Sequence, residues 1–276
     1  MKLKKLAALA LAGMMAVSML TACGNGGAPN DGGENGVATG YSSVLAKYMT
    51  EASKMDNVTF QDNGNDAAAL ADALGNRGTL LLSGDTIAPV PLPVVSSVIA
   101  EDFKRSLGMD NVVTDVANTL LGDGVETVKM FFNNAGDVNE PKKIGMLFVV
   151  DGTISVEKAL RQLGMGIRAS IGDVNIEDLW NKDLWQGIIG GEDGPEAGPL
   201  AEPDAELSDK INYWLDWFSL DTIVAALPES MTNEYGTTWH YDYTISASVI
   251  NKALTVFENY NGSANYIAIT ITRTIK

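Results

Sequence analysis

The chain has 276 residues, 46% of them hydrophobic, with 35 acidic side chains against 19 basic ones and a formal charge of −16. A surface this acidic repels phosphate backbones and anionic lipid, which excludes DNA or RNA binding as its role. One cysteine and one histidine, Cys23 and His240, exclude an internal disulfide, a thiolate metal cluster and a histidine-based zinc site, so no metal and no cofactor is expected.

The first segment has the parts of an export signal: Lys2, Lys4 and Lys5 as a charged start, an apolar run from Leu6 to Leu20, and small residues at its end. A transmembrane helix needs about 20 apolar residues. This run is shorter, and glycine, asparagine and proline follow it where a stop-transfer sequence would stand. Its end, Leu20-Thr21-Ala22-Cys23, resembles the lipobox of bacterial lipoproteins. The resemblance covers about the first 25 residues only. It implies that residues 1–22 are removed as a signal peptide and that the Cys23 thiol carries a lipid. The mature chain would then be held on the outer face of the bacterial cell membrane, with the membrane as a partner through its acyl chains. Loss of residues 1–22 leaves 16 basic against 35 acidic side chains, a charge of −19.

Residues 24–40, "GNGGAPNDGGENGVATG", hold seven glycines and almost nothing to bury. With Cys23 they read as a lipidated, flexible tether (23–40) with a reach of about 20 to 25 Å. Residues 41–276 are expected to form one α+β domain, helical in its N-terminal half and packed on a small sheet contributed mainly by the C-terminal half.

In chain order, "YSSVLAKYMTEASKM" has helical spacing, with Val44, Tyr48 and Met55 near one face and Leu45 and Met49 beside it. "NVTF" reads as a short strand, Ala67 to Leu74 as a helix stopped by Gly75 to Gly78, and "TLLLS" as a buried strand. "APVPLP" can be neither helix nor central strand, because Pro89, Pro91 and Pro93 lack donors. Helices are expected over Val94 to Leu107, Val112 to Leu121 and Val125 to Asn133. "KIGMLFVV" is a strand, and Ser155 opens a helix with Val156, Ala159, Leu160 and Leu163 on one stripe. Residues 187–207, with five glycines, three prolines and six acids, read as a long acidic loop. At the C-terminus Trp239, Tyr241, Tyr243 and Ile245 alternate as a strand, and Ile250, Ala253, Leu254 and Phe257 predict a helix. Asn261-Gly262 predicts a turn, and Ile267, Ile269, Ile271 and Ile275 a last strand.

Four of the five tryptophans flank the acidic loop. Indole faces beside carboxylates suit sugar rings, which makes Trp180, Trp185, Tyr213 and Trp217 a candidate binding face for a glycan, peptide or envelope-protein ligand. The competing reading is helical packing: Ile211, Trp214, Leu215 and Phe218 are spaced as a core stripe. Ser155-Val156-Glu157-Lys158 matches the S-x-x-K pattern of penicillin-binding proteins and β-lactamases, in which the serine is a nucleophile and the lysine assists proton transfer. No K-[ST]-G accompanies it, and Ser155 as a helix N-cap with Glu157 in the first turn explains the same residues. His240 is the one residue a Ser-His-Asp triad could use, and it lies on the polar side of its strand without a G-x-S-x-G. "DNGND" at 62–66 has oxygen ligands but does not continue as an EF-hand loop.

The sequence therefore favours an envelope-anchored lipoprotein with a non-catalytic ligand- or partner-binding role. An extracytoplasmic hydrolase acting on envelope or glycan substrates is the first alternative. A transporter-linked solute-binding protein is the second, disfavoured because the mature chain opens with a helix and lacks regular strand and helix alternation.

Overall fold

Two long antiparallel strands, β5 (Thr238–Thr255) and β6 (Asn261–Ile275), are the spine of a six-stranded mixed sheet. The computed structural model describes residues 40–75, 88–94, 97–107, 128, 130–133, 138–171, 214–216, 218–255 and 261–276. Along the sheet the order is β1 (Val58–Phe60), β5, β6, β3 (Lys142–Asp151), β2 (Leu92–Pro93), and β4 (Ser230–Thr232) pairs with the start of β5. Only β1 runs parallel to its neighbour. The helices are α1 (Tyr41–Ala46), α2 (Gly64–Leu74), α3 (Ser97–Leu107), α4 (Val156–Met165), α5 (Ile167–Ile171) and α6 (Leu220–Ala225). The class is α+β, as expected from the sequence.

β3 is buried at all ten positions because helices cover both sheet faces, so its middle, from Ile144 to Val150, is a continuous apolar run with no alternation. On one face Ile144, Met146 and Phe148 of β3, Ile267, Ile269 and Ile271 of β6, and Tyr243, Ile245 and Ala247 of β5 pack against α1, α4 and α6. On the other, Leu147, Val149, Tyr266 and Ala268 pack against α2 and α3. Gly145 sits under α3: a Cβ there would come within 2.8 Å of the Phe103 ring, so the bare backbone lets the helix lie close to the sheet.

Two sequence expectations are corrected. Ile250, Ala253 and Leu254 do not begin a helix; β5 continues through Thr255, in register with β6 from Tyr241 opposite Ile275 to Thr255 opposite Asn261. The unit is a hairpin, and Asn261 and Gly262 are ladder residues of it. Val249 and Ile250 pack on opposite faces of the sheet, the period of two that short windows cannot distinguish from a helix stripe. The first helix also ends early, at Ala46. A new 3-10 turn starts at Ala52, where the Asp221 carboxylate accepts from the backbone N–H of Glu51 and Ala52, and Leu45 and Met49 are fully buried, as are Ser42 and Ala52. The "TLLLS" strand, the Val112 to Leu121 helix and the acidic loop at 187–207 lie outside the described residues. Among the described residues "LP" at 92–93 pairs with β3 alone, at the sheet edge, where a proline in a strand is tolerated.

Candidate functional site

Cys23 and the proposed aromatic face of Trp180, Trp185, Tyr213 and Trp217 lie outside the described residues. Their neighbours Trp214 and Phe218 are buried, stacked with ring centroids 3.6 Å apart, and both lean on Phe148 of β3 at 5.6 Å. The Trp214 indole N–H donates to the Pro91 carbonyl, so this ring belongs to the core.

Ser155 stands before α4 with extended backbone, and its Oγ accepts from the backbone N–H of Lys158 at 3.3 Å. That is an N-cap, with Glu157 placed well for the helix dipole. The Lys158 amine is held below its ordinary pKa by burial and then by the Arg161 guanidinium. Glu157 is engaged elsewhere: it accepts the Tyr48 hydroxyl at 2.9 Å, a bond that, with burial, holds the phenol above its ordinary pKa. His240 is exposed on β5, opposite Ser230 of β4.

The described surface is hollowed around the first turn of α2, in the "DNGND" stretch. Asn63 is the N-cap of α2, its Oδ1 accepting from Asn65 N–H at 3.0 Å. Asp62 points the other way. Its Oδ1 accepts from Ser42 N–H at 3.0 Å, filling one of the vacant donors at the start of α1. Between these two helix starts and β5 lies a cleft of about 290 Å³. Its walls include Tyr41 and Val44 of α1, Ala67 of α2, and Ala247 and Ser248 of β5. Gly40 closes one side; a Cβ there would collide with the Asp62 carboxylate. The cleft exists because β1 accompanies β5 only from Tyr243 to Ile245. Past that point the Ala247 N–H donates to the buried Ser42 hydroxyl, and helix starts replace a strand neighbour.

On the other flank of α2, and sharing Asn63, an open groove of about 500 Å³ runs between α2, the end of α3 and the start of β3. Asp66, in the first turn of α2, is buried in its floor; it is ion-paired with Lys143 of β3 and accepts from the Thr270 hydroxyl of β6. Asp72 and Ser106, hydrogen-bonded to each other, form the rim.

The only hint of this region in the sequence is "DNGND" itself, read as a turn. Asn63 followed by Asp66 is a legible helix start. That the same five residues also meet Ser42 and Lys143, and share a cleft with Ser248, is long-range and leaves no local mark. Among the described residues, no three His, Cys, Asp or Glu side chains come together as a metal site, and no helix is long and apolar enough to cross a membrane. No protein-family model matches the chain, and neither the curated proteins nor the solved structures include one significantly similar to it.

Proposed function

We propose that this chain is a bacterial lipoprotein, exported and held at the outer face of the cell membrane through Cys23, whose folded part binds a small ligand non-catalytically in the cleft at the start of α2. The observation that supports the binding reading is the cleft's make-up: a mainly apolar surface with a few polar side chains, Ser43, Asp62, Asn63 and Ser248. Concave, mainly apolar sites with a few oriented polar groups are the usual form of a small-molecule site. The hydrolase alternative finds less support, because the Ser155 oxygen is engaged by the backbone of its own helix.

The test is a thermal-unfolding screen of full-length protein in lipid nanodiscs against a library of small amphipathic molecules, followed by tryptophan fluorescence. Ligands that bind the native state raise the midpoint with concentration. Hits are expected to lose their effect in Ala67→Phe, which fills the cleft. A library without hits, or hits indifferent to Ala67→Phe, would overturn the reading.

A further inference from the structure

We propose that the ligand of this cleft is a small organic amine, bound as its ammonium ion with the charge on Asp62 and the apolar body against Tyr41, Val44, Ala67 and Ala247. The inference rests on the binding reading above and narrows it to one chemical class.

Three observations carry it. The first is the charge inventory. No lysine, arginine or histidine is among the lining residues, and Asp62 is the one ionisable acid among them. Among the described residues Asp62 has no ion-pair partner; its recorded hydrogen bond is the one from Ser42 N–H to Oδ1. A half-buried carboxylate with one oxygen fixed by a backbone donor keeps its other oxygen for a cation, and its orientation is set in advance. An anionic ligand would meet the Asp62 charge with no cationic side chain in the lining to offset it, only the weaker field of the helix starts.

The second observation is Ser248. It is 3% exposed, lines the cleft, and makes no side-chain hydrogen bond among the described residues. A hydroxyl on a cleft wall with no bond inside the protein is open to a ligand donor or acceptor. An ammonium group carries several donors, enough to serve the Asp62 carboxylate and the Ser248 oxygen together. Ser42 is used by Ala247 N–H, Ser43 donates its hydroxyl to the Gly40 carbonyl and the Asn63 carbonyl oxygen caps α2, which leaves the Asp62 carboxylate, the Ser248 hydroxyl and the Asn63 amide N–H groups to meet a ligand.

The third is the shape and the surroundings. Tyr41 and the small side chains of Val44, Ala67 and Ala247 offer van der Waals contact to a compact alkyl or aryl body. The formal charge of −16 over the chain raises the local concentration of cations of every kind at its surface. Selection for an amine with an apolar body, over a bare inorganic cation, comes from the walls.

The experiment compares three probes that share one body and differ in head group: 3-methylbutylamine, 3-methylbutanol and 3-methylbutanoate. Each is titrated into full-length protein in nanodiscs, and apparent dissociation constants are taken from the midpoint shift. The amine is expected to bind about tenfold more tightly than the alcohol, the scale of one hydrogen bond to a charged group in a partly solvated site. The carboxylate should bind most weakly. In Asp62→Asn, where the amide oxygen can still accept from Ser42 N–H, the amine should fall to the affinity of the alcohol. Equal affinity of amine and alcohol, or an amine preference that survives Asp62→Asn, would overturn the amine assignment while leaving the cleft as a binding site. If none of the three shifts the midpoint in the native chain, the amine assignment falls; the library screen then decides whether the binding reading falls with it.

Discussion

Tyr241 and Tyr243 illustrate how much a single side chain owes to its place in the fold. Both phenols are held above their ordinary value by burial, with the Arg273 guanidinium opposing, and both donate to backbone carbonyls, Tyr241 to Val138 and Tyr243 to Pro228. Arg273 itself lies 4.4 Å from the Tyr241 ring centroid and donates to the carbonyls of Phe132 and Glu140. In the unfolded chain these hydroxyls ionise near 10.0, whereas the folded chain keeps its protons to higher pH. The native state therefore binds more protons than the unfolded one above that value, and stability falls as pH rises; below it, the contribution is complete. Lys158, whose value is lowered, acts in the opposite sense, its penalty fading as pH climbs toward 10.5. Urea denaturation across pH about 8 to 11 should show a plateau and then a decline beginning near pH 10. Tyr243→Phe should lose about 1 kcal/mol on the plateau, from its hydrogen bond, and decline less steeply above it. An identical slope in the variant would remove Tyr243 as its source. That Tyr241 and Tyr243 share a buried face was legible in the alternation of "TWHYDYTIS". Arg273, buried beneath them, was not, since a lone arginine in a strand pattern reads as a solvated residue.

Elements are joined by the Asp66 cluster. Asp66 belongs to α2, Lys143 to β3 and Thr270 to β6, so one carboxylate links a helix to two central strands. Removing one partner of a buried pair leaves an uncompensated charge, whereas removing both leaves only a packing problem. Asp66→Leu is expected to destabilise by about 3 kcal/mol, and the double variant with Lys143→Met to recover most of that loss. The double-mutant cycle is read from urea midpoints, and strict additivity would show that the pair is not coupled. The helix start at Asn63 could be read locally, because an N-cap and an acid in the first turn are neighbours in sequence. The role of Asp66 as a cross-link could not, because Lys143 is 77 positions away and Thr270 is 204. The same distinction explains the C-terminal hairpin: "ASVINKAL" satisfies a helical and a strand pattern alike, and pairing with β6 decides it.

At the scale of the molecule, the acidic charge bears on the proposed tether and anchor. A protein carrying −19 after processing would be repelled by an anionic bilayer, so attachment would depend on the acyl chains, at about 0.8 kcal/mol per buried methylene. Cys23→Ser is expected to move the protein from the detergent phase to the aqueous phase in a temperature-induced phase separation and to abolish incorporation of labelled palmitate. Retention in the detergent phase would count against the anchor. The cleft is lined by Gly40 and Tyr41, the residues that follow the proposed tether in the sequence. The charge and the α+β class could be read from the sequence alone, and the proposed export signal, lipobox and tether rest on the sequence alone, because each is a property of composition or of neighbouring residues. Only the tertiary structure decided where the second strand of the hairpin forces the first to continue, which acids are paired, and that the stretch around Asn63 lines a cleft. Those depend on partners brought together across the whole chain, and the energy that fixes them is shared among residues too far apart to leave a local pattern.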